Sequence, residues 1–287
     1  MIFSRYGWKY GGEAVYICPV CREKLRFSDR SWACVNRHSF DVHRKGYVNL
    51  MTTRKLNPRR AGDNGDMVRA RTQFLDYGHY LPLAEKTADV MKGLISAEHP
   101  TVIDSGCGEG YYTVNYARLM PEAQFFGIDI SKAACSHAMS RVNEAGLKNA
   151  HIAVASSFEL PFADESAELV VCTFAPVSDR EYARVLKRGG HLVVVSPSAE
   201  HLFELKELIY EVPYKNKPNE YGLESFTEGE ELVHEYKVTL ASRDEILSLY
   251  KMTPYYYKTS VPDAAKLIET ESLDVTCGFS IRVFTKK

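Results

Sequence analysis

Long apolar runs are missing from this 287-residue chain. No stretch of about 18 apolar residues could span a bilayer, and the first 17 residues (MIFSRYGWKYGGEAVYI) lack the continuous apolar core of a secretion signal. Internal repeats and low-complexity segments are absent too, and with 45% hydrophobic and 25% charged residues the disordered, collagen-like and coiled-coil classes are excluded. Cysteine is sparse. Seven residues, an odd number, are too few for a disulfide scaffold and read as metal ligands or buried thiols in a reducing compartment. The expectation is a cytoplasmic globular protein that does not engage membranes. Net charge is nearly absent as well, at −1, and taken as a sum it argues against a strongly basic nucleic-acid binder.

The sum conceals a boundary. Residues 1–75 hold 15 Lys and Arg against 6 Asp and Glu, a net of +9, while the remainder holds 21 against 31, a net of −10. A basic N-terminal module precedes an acidic one. Halves of opposite sign hint at nucleic-acid contact by the first; a merely solvated basic face is the plain alternative.

From residue 101 onward apolar runs at 101–104, 125–130, 151–155, 169–174 and 191–196 alternate with helical spacing at 111–119, 132–144 and 181–186. Short Val/Ile/Leu-rich runs separated by helices indicate a parallel sheet covered on both faces, so this part of the chain reads as a doubly wound, Rossmann-like α/β domain. Residues 66–95 read as one or two helices broken around Gly78 and Pro82, and 54–66 (RKLNPRRAGDNGD) as a turn-rich basic linker. The divisions are 1–53, 54–95 and 96–287.

Cys18, Cys21, Cys34 and His38 form C-x2-C-x12-C-x3-H. A tight Cys-x-x-Cys turn sets two thiolates on one edge of a tetrahedron, and a second short-spaced pair on the returning hairpin closes it around a structural Zn2+. With four protein ligands and no vacancy, the metal holds shape and does not activate water. Between the pairs lie Arg22, Lys24, Arg26 and Arg30 with Phe27 and Trp32. Cations alternating with aromatics suit phosphates and stacked bases, although Phe27 and Trp32 equally suit the small core such a module needs.

Asp104-Ser105-Gly106-Cys107-Gly108-Glu109-Gly110 follows the first strand and opens the first helix. Glycines let the backbone turn and approach a ligand closely. Asp129, ending the second strand 25 positions after Asp104, is placed to accept both hydroxyls of a ribose. The acid before the glycines departs from the dinucleotide fingerprint and suits the cationic methionine end of S-adenosylmethionine (SAM), the arrangement of class I methyltransferases. Ser157 and Phe158, after the third strand, are candidate neighbours of the adenine, with loop packing as the alternative. Phe174-Ala175-Pro176-Val177 ends the fourth strand where the methyl acceptor belongs, and Phe174 is the candidate contact to it, with core packing equally open. This segment lacks the Asn or Asp before Pro-Pro of amino-directed methylases. Cys172 lies too early to be the nucleophile of a 5-methylcytosine enzyme and reads as core. Thr276-Cys277 reads as structural.

Together CPVC, CVNRHSFD, KGYVNL, FLDYGHYLPL, DSGCGEGYYT, GIDISK, FAPV, RVLKRGG and HLFELKELIY resemble the RlmA family of 23S rRNA (guanine-N1)-methyltransferases over nearly the whole chain. The resemblance implies that Cys18, Cys21, Cys34 and His38 bind zinc, that Tyr80, Gly108, Glu109 and His201 line the SAM site, and that two copies form a shared RNA cleft. Its implied substrate is a guanine in a hairpin loop of 23S rRNA beside the peptide exit tunnel, where tylosin-type macrolides bind. Departures are Ser105 in place of the usual aliphatic residue, Arg188 in place of a proline, and about a dozen extra residues before the zinc ligands. A small-molecule methyltransferase would not need the basic zinc module. A non-catalytic zinc RNA-binding protein would not need Asp104, the glycines or Asp129.

Overall fold

Apolar runs with no polar face fit only strands covered on both sides, and the computed structural model places them there. It describes residues 16–52 and 65–287; residues 1–15, and all but the last two residues of the expected basic linker, lie outside the described residues. In chain order β1 (Arg26–Ser28), β2 (Ser31–Ala33) and β3 (Ser39–Asp41) make a small antiparallel sheet, followed by β4 (Val48–Asn49). Helices α1 (Gly65–Asp76) and α2 (Leu81–Leu94) are separated at Gly78, whose φ of +82° glycine adopts without strain, and Pro82 sits in the first turn of α2. This is the break the sequence indicates.

The α/β region then runs β5 (Thr101–Ser105), α3 (Tyr111–Leu119), β6 (Gln124–Asp129), α4 (Lys132–Glu144), β7 (Ala150–Val154), β8 (Ala167–Thr173), α5 (Asp179–Val185) and β9 (Leu186–Pro197). After it come α6 (Phe203–Ile209), β10 (Phe226–Leu240), α7 (Arg243–Met252), α8 (Val261–Glu269) and β11 (Leu273–Lys286). One sheet has the order β10-β11-β9-β8-β5-β6-β7-β4. Strands β5 to β9 are parallel, and β11 runs antiparallel to both β9 and β10. The order reverses between β5 and β8, so the loops at their carboxyl ends flank a crevice.

The N-terminal segment does not stand apart from this sheet. Val48 and Asn49 pair in parallel with Ala153 and Val154, extending the sheet past β7. Tyr16 is fully buried, its ring 5.2 Å from Trp32, 5.9 Å from Phe126 and 5.4 Å from Phe162. One hydrophobic cluster therefore runs from the small sheet into the large one. Strand β9 starts at Leu186, earlier than the expected 191, because the chain pairs with Ala167 before the turn at Gly189.

Candidate functional site

At the N-terminus the two ligand pairs are shaped by backbone. The Arg22 amide donates to the Cys18 carbonyl at 2.8 Å and the Arg37 amide to the Cys34 carbonyl at 3.0 Å, with Arg22 and Arg37 both left-handed. These two turns bring the ligand atoms of Cys18, Cys21, Cys34 and His38 within 4.8 Å of one another. The Cys21 and Cys34 sulfurs are 3.7 Å apart, and His38 Nδ1 lies 3.5 Å from Cys18 Sγ and 3.4 Å from Cys34 Sγ. A tetrahedron with ordinary Zn–S and Zn–N bonds has edges of about 3.8 and 3.6 Å. The set fits zinc, and 3.7 Å is far from the roughly 2 Å of a disulfide. Asn36 leads the hydrogen bonds that draw the Cys21 thiol down to about 6, toward the thiolate a metal takes.

The surrounding aromatics resolve the alternative left open by the sequence. Trp32 is buried, packed edge-on to Tyr16 and 5.5 Å from the half-buried Phe27, so these rings form the module's core and do not offer a stacking platform. The cations remain outside: Arg22, Lys24, Arg26, Arg30, Arg37 and Arg44 are exposed. Lys45 is an exception, donating to the Ser136 carbonyl and Ser140 hydroxyl of α4.

The second site is a cavity of about 730 Å3 at the carboxyl ends of β5, β8 and β9, within the range of ligand pockets. Of the residues the sequence proposes, Tyr80, Gly106, Gly108, Glu109, Phe174 and His201 line it. Asp104, Gly110, Asp129, Ser157 and Phe158 are not among its lining residues. The glycines divide their labour. A Cβ on Gly106 would collide with the Ala175 methyl, and one on Gly110 would lie 2.7 Å from Ala138, so these two permit protein packing; Gly108 (φ +55°) is open toward the cavity, with Arg71 of α1 above it.

Carboxylates hold the loop in shape. Asp129 accepts from the Gly108 amide at 3.0 Å and the Ser131 amide at 2.8 Å, one on each oxygen. Asp104 accepts from the Thr113 hydroxyl. Burial pushes its carboxyl up to about 7; the Thr113 bond opposes the rise and the Asp129 charge adds to it. Glu109 accepts the Tyr111 amide at 3.1 Å on one oxygen and pairs with Arg141 Nε through the other, while Arg141 also meets Asp76 at 2.7 Å. Ser105, the departure from the family pattern, donates to Ser157 Oγ at 2.9 Å and accepts from Tyr182 at 2.9 Å. The buried hydroxyl is thereby satisfied, and Ser157 is tied to the strand end.

His201 is a neutral group. Burial, and after it the Lys206 charge, hold its pKa near 3. Its Nδ1 accepts the Gly278 amide at 3.3 Å, so the proton sits on Nε2, which donates to the Tyr80 hydroxyl at 3.4 Å. Next in sequence Leu202 is left-handed (φ +56°), as is Phe174 (φ +55°). Bulky residues in this region cost of order 1–3 kcal/mol each, and both of these line the cavity. Phe174 is 43% exposed with its ring about 6 Å from Tyr112 and Phe279, so it is a cavity rim and not core.

The sequence reading missed the rest of the lining: Arg71 and Tyr112, and a far wall of Tyr214, Asn216, Tyr255 and Tyr257 with Lys251 and Lys258. The Tyr112 hydroxyl is buried and has no partner among the described residues, which suits a ligand at the junction of the two ends. Lys251 and Lys258 around Tyr255-Tyr256-Tyr257 was the one available signal for the wall, and it belongs to no motif. Backbone amides, neutral imidazole and tyrosyl hydroxyls around an elongated crevice suit a nucleoside ligand such as SAM.

Comparison with known proteins agrees with this arrangement. Residues 16–56 match the family profile described as "RlmA, N-terminal", a zinc ribbon, and residues 96–247 that of a methyltransferase domain. The chain is 38% identical over 194 residues to the 23S rRNA (guanine(748)-N(1))-methyltransferase of Streptomyces fradiae, covering 67% of this chain and 66% of that one. It is 31% identical over 288 residues to a protein of Micromonospora griseorubida provisionally named a 23S rRNA (guanine-N1)-methyltransferase, covering 93% and 95%. A Bacillus subtilis protein with the same provisional name is 29% identical, covering 95% and 98%. Among the described residues no helix is long and apolar enough to cross a membrane. The chain belongs to the RlmA family of SAM-dependent methyltransferases, with an N-terminal zinc ribbon joined to a class I methyltransferase fold.

Proposed function

We propose that the protein transfers a methyl group from SAM to N1 of a guanine in a hairpin loop of 23S rRNA. The observation that carries the reading is the joining of a Cys3His ribbon with exposed cations to a methyltransferase cavity, over a length shared with relatives named, provisionally, as rRNA methyltransferases. A small-molecule methyltransferase has no use for the first part, and a non-catalytic RNA binder has none for the second. Exposed arginines and lysines of the ribbon grip the hairpin backbone, and that grip weakens steeply with salt. Two copies sharing one RNA cleft, and residence in the cytoplasm with the ribosome, belong to the same reading.

SAM supplies a methyl group already activated by its sulfonium. What the chain must add is orientation. Tyr80, Gly108, Glu109 and His201 hold the cofactor, with Asp104, Gly106, Gly110, Asp129 and Ser157 shaping its surroundings, and Phe174 meets the target base. N1 lies on the pairing edge, so the guanine comes from an unpaired loop or is turned out of its stack. Its N1 proton must leave, yet Glu109 is committed to Arg141 and the start of α3, and both ring nitrogens of His201 are hydrogen-bonded. Neither serves as general base. His201, held neutral by burial, contributes no inflection near pH 6.5 to the methylation rate, and water or an RNA group is the proposed acceptor of the proton.

Incubation of the full chain with methyl-labelled SAM and either 23S rRNA or a small-molecule extract tests the assignment. Label in the RNA as N1-methylguanine is expected; label confined to small molecules, or transferred to nothing, overturns it.

A further inference from the structure

The far wall of the cavity is anchored by a buried cation. Lys206 of α6 is fully buried, and no carboxylate pairs with it among the described residues. Its ammonium donates to the Tyr214 carbonyl at 3.0 Å and to Asn216 Oδ1 at 2.6 Å, and lies 4.7 Å from the Tyr214 ring centroid and 5.4 Å from that of Tyr255. A lysine without a counter-ion is an expensive occupant of an interior, tolerated when carbonyl oxygens and aromatic faces replace water around it.

Those contacts connect the two ends of the cavity. Asn216 accepts from Lys206 and donates through Nδ2 to the carbonyls of Ser198 (2.9 Å) and His201 (3.2 Å), while its amide donates to Ala199 at 3.0 Å. The segment carrying Tyr214 is thus fastened, through one ammonium and one amide, to the backbone of the residue that donates to Tyr80 at the cofactor end. Tyr214 remains 52% exposed and Tyr257 63% exposed, and both line the cavity. Lysines join them there, and the single carboxylate of the lining, Glu109, is already paired with Arg141. Tyr214 is stacked on Tyr210 at 5.7 Å, and partly exposed tyrosine rings flanked by cations suit an unstacked nucleobase and its phosphate.

We propose that the end of the cavity beyond Phe174 is a purine-base subsite and that Lys206 is the residue positioning its tyrosine wall. The inference rests on the RNA-methylation reading above for the identity of its ligand. Lys206 is not among the residues lining the cavity; it sets where Tyr214 and Tyr255 stand.

The test uses full-length wild type, Lys206→Met and Tyr257→Ala, with rRNA methylation kinetics, equilibrium binding of S-adenosylhomocysteine, and melting temperature. For Lys206→Met, kcat/KM on rRNA falls at least tenfold with S-adenosylhomocysteine affinity within twofold of wild type. For Tyr257→Ala, at an exposed side chain, KM for rRNA rises several-fold with kcat and S-adenosylhomocysteine affinity unchanged. Unaltered rRNA kinetics in both variants, or loss of S-adenosylhomocysteine affinity in step with activity, overturns the proposal. The wild type is assayed on the small-molecule extract in the same series. If it labels only small molecules while Lys206→Met loses that labelling with cofactor binding intact, the positioning role stands and the RNA reading falls; if wild type and both variants label rRNA alike, the reverse holds.

Discussion

The ribbon and the methyltransferase domain solve the same problem of stability in opposite ways. Residues 101–197 bury five parallel strands between helices, whereas residues 16–42 have three short strands and one buried tryptophan, and four metal ligands make up the deficit. Their surfaces differ as well, one basic and the other acidic. Yet they share a core: Tyr16 and Trp32 pack with Phe126 and Phe162, and β4 completes the large sheet. The change in charge along the chain is not a folding boundary.

The largest effect expected of any single change is at the metal. Cys21→Ser should abolish stoichiometric zinc and lower rRNA methylation by about 100-fold or more, because the metal fixes the shape of the ribbon that presents the exposed cations. Affinity for S-adenosylhomocysteine, measured by calorimetry, should stay within a few-fold, since no ligand of the cluster lines the cavity. Normal zinc content in the variant would refute the metal assignment. Tyr16→Ala comes next. It empties a fully buried ring site in the shared core and should cost about 3–5 kcal/mol in chemical denaturation. A single cooperative transition shifted as a whole is expected; a ribbon that melts separately with the rest unmoved would break the claim of one core.

Gly106→Ala reverses the pattern of the metal variant. The new methyl meets Ala175 at a φ of +82°, so the loop must move, costing about 1–3 kcal/mol and most of the cofactor affinity while zinc content stays normal. Equal cofactor binding would show that the loop geometry is dispensable.

How much of this the sequence disclosed follows from the range of the interactions involved. The bounds of α3 and α4 coincide with the 111–119 and 132–144 of the sequence reading, because their apolar spacing and the Ser131 cap are local signals. The ligand cluster was legible for the same reason: each pair closes within one turn. The pairing of β10 with β11 was not, apart from a last strand around Thr276, since the burial of β11 depends on its pairing with β9 across some 80 residues. Phe158 shows a further limit. Its position after β7 suggested an adenine neighbour, but the side chain is 61% exposed and outside the lining. The tyrosine wall was hidden because two segments, 214–216 and 251–258, supply it, and only folding brings them to one crevice.

The smallest predicted effect concerns acid. Burial holds His151 near 4 and His201 near 3, so between pH 4 and 6.5 each binds a proton only when unfolded; Asp104, raised to about 7, binds one only when folded. Two against one leaves a net of one proton taken up on unfolding, so these three groups lower stability by about 1.4 kcal/mol per unit as pH falls through this window. His151→Gln should cancel that slope contribution, read as the pH dependence of the stability difference from wild type. A difference independent of pH would mean that His151 is not buried neutral.

Reverse transcription across 23S rRNA treated with the protein and SAM tests the central claim most directly, because a methyl group on N1 blocks base pairing. The account predicts one new SAM-dependent stop at a guanine in a hairpin loop, lost in Cys21→Ser and in Gly106→Ala. Methyl transfer to the RNA without any such stop, or a stop that persists in both variants, would contradict it.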